Sequence, residues 1–158
     1  MRMRSSTSTL IVLTFLLVAC ATDPVIGTWR LDVAKSSFDP GPPLQSQQRE
    51  YVKTSQGVKF TLTGVSASGK PMRVEFTAPY DGRDYPLTGS PSSDSVSMRR
   101  IDRFTADAVE KKNGRPVFRV NRTISRDGST MTVTSIGTNA AGVAIKNVLV
   151  FERVKADR

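Results

Sequence analysis

The sequence predicts an all-β fold: an antiparallel up-and-down barrel of about eight to ten strands over residues 27–158, with a β-sandwich as the alternative. Three observations predict it. Apolar and polar residues alternate with a period of two through most of the chain after Trp29, as strands with one face in a core and one in water require. Turn-forming clusters rich in Gly, Asn, Asp and Pro separate the alternating segments at intervals of about 11 to 16 residues. Helical periodicity is not sustained anywhere; Thr105 to Lys112, the best helix candidate, alternates equally well through Ala106, Ala108 and Glu110 and is read as a strand.

The elements follow in order. Trp29, Leu31 and Val33 share one face of the first strand, and Phe38-Asp39-Pro40-Gly41-Pro42-Pro43 is read as the stiff loop after it, since proline fixes φ and lacks a donor. Val58, Phe60 and Leu62 mark a second patterned strand, and Met72, Val74, Phe76 and Ala78 a third. Phe118, Val120 and Ile124 face one way while Arg119, Asn121 and Thr123 face the other. Met131 and Val133 alternate with threonines, and Asn147 to Val154 forms a more continuously apolar final strand. Between them lie Ser55-Gln56-Gly57, Ser68-Gly69-Lys70-Pro71, Asp81-Gly82, Asn113-Gly114, Asp127-Gly128 and Ala141-Gly142, where Gly and Asn supply the positive φ of tight hairpins. So many short strands must hide their edges, and closure into a barrel does so completely.

Composition removes several chemistries. The 158 residues include one cysteine and no histidine. One thiol cannot form an intramolecular disulfide. Cys/His zinc sites and Ser-His-Asp or Cys-His catalytic sets cannot be built. Asp81 and Asp84 are the only acid–base pair that suggests itself; no enzymatic activity and no cofactor are expected. The formal charge is +9, from 23 Lys and Arg against 14 Asp and Glu. No basic run exceeds two residues (Arg99-Arg100, Lys111-Lys112), so a nucleic-acid partner is not expected, whereas anionic envelope polymers are a candidate class.

Residues 1–19 read as a secretion signal. Arg2 and Arg4 are its positive start, and Leu10 to Val18 its apolar run, interrupted only by Thr14. That run is far short of the roughly 20 apolar residues that span a bilayer, and it suits a signal segment. Leu17-Val18-Ala19-Cys20 resembles the bacterial lipobox. The resemblance implies cleavage after Ala19, diacylglycerol on the Cys20 thiol and acylation of the new amino terminus. Each buried CH₂ contributes roughly 0.8 kcal/mol, so several acyl chains would anchor the domain firmly. Residues 20–26 would then be the tether. Ala21, where an Asp would favour inner-membrane retention, implies the outer membrane of the cell envelope.

Gly27-Thr28-Trp29 opens the first strand and is similar to the Gly-x-Trp motif of lipocalins and related calycins. The resemblance implies that Trp29 closes one end of the barrel, with a late basic residue packed across its ring: Arg153 by order, Arg122 second. It also implies a cavity for a small lipophilic or amphipathic ligand. Phe60, Phe76, Phe104, Phe118 and Met131 lie on the inward faces and are the candidate lining, with plain core as their other reading. The segment Tyr80-Asp81-Gly82-Arg83-Asp84-Tyr85-Pro86 is a candidate mouth, with a surface turn as its other reading. The overall layout also resembles that of other exported bacterial proteins. Two functions remain open: a membrane-tethered binder of a small lipophilic molecule, or an envelope protein whose basic exterior binds an anionic polymer or a protein partner.

Overall fold

The computed structural model describes residues 22–155; residues 1–19, read above as a secretion signal, and Cys20 lie outside them. Ten strands follow one another: β1 (Gly27–Asp39), β2 (Ser46–Thr54), β3 (Gly57–Val65), β4 (Pro71–Ala78), β5 (Tyr85–Thr88), β6 (Ser95–Arg100), β7 (Thr105–Lys112), β8 (Arg115–Ile124), β9 (Thr130–Thr138) and β10 (Ala144–Arg153). Each pairs antiparallel with its neighbours in sequence, and β1 pairs with β10 to close the barrel. The sandwich alternative is thereby excluded. The outer face of β3 and β4 carries Lys59, Thr61, Thr63, Arg73 and Glu75, the reverse of the apolar outer band of a membrane-spanning barrel.

Closure makes the first strand bend. Its 13 residues pair with β2 only over Gly27 to Arg30, and its register with β10 slips between Asp32 and Ser37. The Ser36 hydroxyl bridges the slip, donating to the Asp32 carbonyl at 2.6 Å and accepting from the Val150 amide at 2.9 Å. A ladder bond lost to the irregularity is replaced by a side chain, as a half-buried amide demands. Phe38 and Asp39, read above as loop, belong to this strand, and the loop begins at Pro40.

Three strands were not read from the pattern, β2, β5 and β6, although β6 does alternate through Val96 and Met98. β2 turns Gln47, Arg49 and Tyr51 inward, so its buried face is mostly polar. β5 is four residues long and draws on the Tyr80–Pro86 stretch that reads as a turn. Arg122 likewise sits on the inward face of β8, between Val120 and Ile124, where its charge masks the alternation.

The barrel's ends differ. Where β1 begins and β10 ends, Val25, Trp29, Met131 and Phe151 are completely buried. Burial of such side chains stabilises the fold by about 1.5–3 kcal/mol each. The stretch read as a tether contributes here, since Val25 lies across this end and the Trp29 indole donates to its carbonyl at 2.8 Å. At the other end, the inward residues Leu44, Phe118 and Ile145 remain partly exposed. Gly137 on β9 allows a close approach there, because a Cβ would stand 1.9 Å from the Val117 carbonyl oxygen and 2.6 Å from the Phe118 ring.

Candidate functional site: an interior cavity above a sealed end

Arg153 organises the sealed end. Its guanidinium lies 4.1 Å from the Trp29 ring centroid. Its Nε donates to the Gly128 carbonyl at 2.6 Å, Nη1 to the Ile26 carbonyl at 2.8 Å, and Nη2 to the Pro24 carbonyl. One planar fork thus satisfies carbonyls from the N-terminal segment and from the β8–β9 turn while stacking on the indole, a combination that lysine cannot reproduce. The first residue of the Gly-x-Trp triplet has its reason here. Gly27 has φ of 131°, and a Cβ on it would stand 2.7 Å from Arg153 Nη1.

Above this plug lies a cavity of about 360 Å³, within the range of small-molecule pockets. Its walls are mainly apolar. Tyr51, Phe60 and Phe76, on adjacent strands β2, β3 and β4, form an aromatic stack with centroid spacings of 5.1 and 4.7 Å. Phe118, Val120 and Ile145 continue the lining toward the open end, and Ala106 and Ala108 make one wall thin. The space exists because β7 contributes small side chains opposite large ones, so the walls do not meet across ten strands.

The cavity also holds two arginines. Arg49 projects from β2, with Nε donating to Gln47 Oε1 at 2.9 Å and the guanidinium 4.7 Å from the Phe151 ring centroid. Arg122 is 8% exposed. Its Nη2 donates to the Tyr80 hydroxyl at 2.8 Å, and its guanidinium lies 5.2 Å from the Tyr51 ring centroid. The Arg122 Nε–H is buried and has no acceptor. An unpaired buried donor of this kind costs about 1–3 kcal/mol or more. Burial by itself would weaken the charge on Arg122; the electrostatic influence of Tyr51 and Tyr80, the Tyr80 hydrogen bond and the nearby Asp23 more than offset it, so the side chain stays protonated.

A short polar relay runs on from Arg122 to the surface. The Tyr80 hydroxyl donates to Asp23 Oδ2 at 3.1 Å, and Asp23 forms an ion pair with Arg100. Burial pushes the Asp23 carboxyl up, but Arg100, the Val25 amide and Arg122 together hold it below the ordinary carboxylate range. Burial raises the Tyr80 hydroxyl above its usual value despite the two neighbouring guanidinium groups.

The sequence-derived candidates separate by height along the barrel. Phe60, Phe76 and Phe118 line the cavity. Met131 and Phe104 do not. Met131 points inward but is fully buried in the plug opposite Ile124, below the cavity, and Phe104 sits in the β6–β7 connection, packed on the core from the sealed end. Trp29 and Arg153 meet, whereas Arg122, second in line for that contact, lies in the cavity instead. The candidate mouth at Tyr80–Pro86 is a surface connection that starts at the sealed end, where Tyr80 meets Asp23, and runs past β6 to Lys111 near the end of β7. There Asp81 accepts from the Arg83 amide at 2.9 Å and the Tyr85 hydroxyl at 2.7 Å, while Asp84 pairs with Lys111 at 2.7 Å. Sequence reasoning missed Gln47, Arg49 and Tyr51; the strict alternation of Gln47, Arg49, Tyr51 was the available signal, obscured by their polarity.

The fold and the site together define a hollow, one-ended β-barrel with an apolar chamber and a cationic floor. No protein-family model matches the chain, and no curated protein does. Among solved structures, zebrafish ileal bile acid-binding protein complexed with cholic acid aligns with a TM-score of 0.45 and 14% identity, over 83% of this chain and 99% of that one. The barrel described above rests on the pairing of its own strands.

The β8–β9 turn that Arg153 grips is shaped by Asp127. Its carboxylate accepts from the Ser125 hydroxyl and from the amide and hydroxyl of Ser129, which together bring its pKa down to about 2. A carboxyl depressed in the folded state adds stability above its unfolded value and loses it as pH falls toward the folded one. The thermal midpoint of the parent should therefore lose its advantage over Asp127→Asn between pH values of about 4 and 2. Melting curves across that window check this; identical acid slopes for the two proteins would contradict it.

Proposed function

We propose that the protein is a membrane-tethered binder of a small lipophilic or amphipathic molecule, held in the barrel cavity. The observation that carries this reading is the chamber of about 360 Å³, walled by Phe60, Phe76, Phe118 and Val120 and set above a tightly packed plug. A core meant only for stability would be filled, because empty apolar volume is costly.

The tether fits this geometry. The N-terminal segment joins the barrel at the sealed end, so a lipid on Cys20 would hold that end to the outer membrane and turn the open end away from it. Ligand would then exchange with the aqueous side of the envelope rather than directly with the bilayer.

Two measurements test the proposal. The full chain should take up the neutral fluorophore N-phenyl-1-naphthylamine with enhanced, displaceable emission. Ala108→Phe, which fills the thin wall, should weaken uptake at least about tenfold without lowering the melting temperature. Uptake that is absent in the parent, or unchanged in the variant, would refute the cavity as the site. Mass spectrometry of the chain from its native host should find it beginning at an acylated, diacylglyceryl-modified Cys20; an unmodified thiol there would refute the tether.

A further inference from the structure

We infer that the cavity floor receives the head group of an anionic amphiphile, a carboxylate or a phosphate monoester, with Arg122 as the seat and Arg49 as the second cation. This rests on the reading of the cavity as a ligand pocket and adds the chemical class of the ligand and its direction of entry.

Three observations converge. First, Arg122 lines the cavity, is almost completely buried, and leaves its Nε–H without an acceptor. A guanidinium presents its Nε–H and an Nη–H as a fork that matches two oxygens of a carboxylate or phosphate. With Nη2 committed to Tyr80, the orphaned Nε is the donor on which an incoming oxygen would complete the side chain's bonding. Second, the charge is not balanced locally. Among the described residues neither Arg122 nor Arg49 has a carboxylate within ion-pair distance, and Asp23, reached only through Tyr80, is taken by Arg100. A buried cation without a partner is strongly disfavoured, and a bound anion relieves it. Third, the polarity of the lining sets a direction. Glu110, a lining carboxylate, lies toward the open end, near the β7 terminus, where the Ser93 hydroxyl donates to it at 2.7 Å. An anionic head is repelled there and attracted below, so the molecule enters head first and leaves its tail against Phe60, Phe76 and Phe118.

Arg49 has a different part. Its Nε is already engaged by Gln47, and its guanidinium rests on the Phe151 ring. It supplies positive potential and free Nη donors from the opposite wall, so its loss should weaken anion binding without abolishing it.

The experiment is isothermal titration of the full chain with three probes of twelve carbons each: laurate, dodecyl phosphate and dodecanol. The two anions should bind at least about tenfold more tightly than dodecanol. Arg122→Met should erase that difference while keeping dodecanol binding, and Arg49→Met should reduce it. The stronger of the two anions identifies the head group. Equal affinity for all three probes in the parent would overturn the head-group assignment and leave the cavity reading standing. No binding of any probe would overturn both. Should Arg122→Met fail to fold, the Nε–Hε resonance of Arg122 in the parent decides: it should shift with laurate and not with dodecanol, and a shift with neither would overturn the assignment. Because the seat is buried, the preference for the anions should survive a rise from about 0.05 to 0.5 M salt. A preference that disappears over that range would place the anion on the basic exterior instead and would also overturn it.

Discussion

The barrel depends on one side chain being long, planar and permanently charged. Arg153 is the last residue of β10, and it reaches carbonyls on both sides of the seam where the chain's first and last strands meet. Those carbonyls belong to half-buried residues that cover the buried end of the barrel. By stacking on Trp29 the same guanidinium fixes the indole whose N–H holds Val25 in place. The same contact ties the closing seam of the sheet to the sealed end, and Gly27 leaves room for it, since a Cβ there would stand 2.7 Å from Arg153 Nη1.

Once one end is sealed, the remainder of the interior is free to serve a purpose other than stability. Large side chains are concentrated in the plug, where Trp29, Met131 and Phe151 are inaccessible. Higher up, alanines on β7 face the aromatic stack on β2 to β4, and the walls stand apart. Placing two arginines in such a chamber is expensive in the empty protein. Features of that kind persist at sites of interaction, where a partner offsets the cost. The division of labour along the barrel axis, with packing below and an open, charged cavity above, is the physical basis of the functional reading.

How much of this is legible in the sequence depends on which question is asked. A period of two tells which face a residue occupies, and on that it was reliable: Phe60, Phe76, Phe118, Met131 and Trp29 all point inward. It says nothing about height. Met131 and Phe104 have the parity of lining residues but sit at the sealed end, because their depth is set by register with Ile124 and by the β6–β7 connection, neither of which leaves a trace in composition. Where the alternation breaks at the cavity, it breaks for a functional reason. β2 carries Gln47, Arg49 and Tyr51 where hydrophobic residues are expected, and β8 carries Arg122. The polar residues that broke the pattern are the ones that give the cavity its chemistry. The turn at Tyr80 to Pro86 misled in the opposite sense, since its dense polar composition serves a local hydrogen-bonded turn rather than a mouth.

The sealed end holds the fold together, and the short strand β5 beside the cavity is the adaptable part. Native-state hydrogen exchange measures this residue by residue. The amides of Trp29, Met131 and Phe151 should exchange only through global unfolding. Those of β5, which pairs through only two residues with each neighbour, should open locally and sooner. Exchange at Trp29 and Phe151 as fast as at β5 would contradict the account.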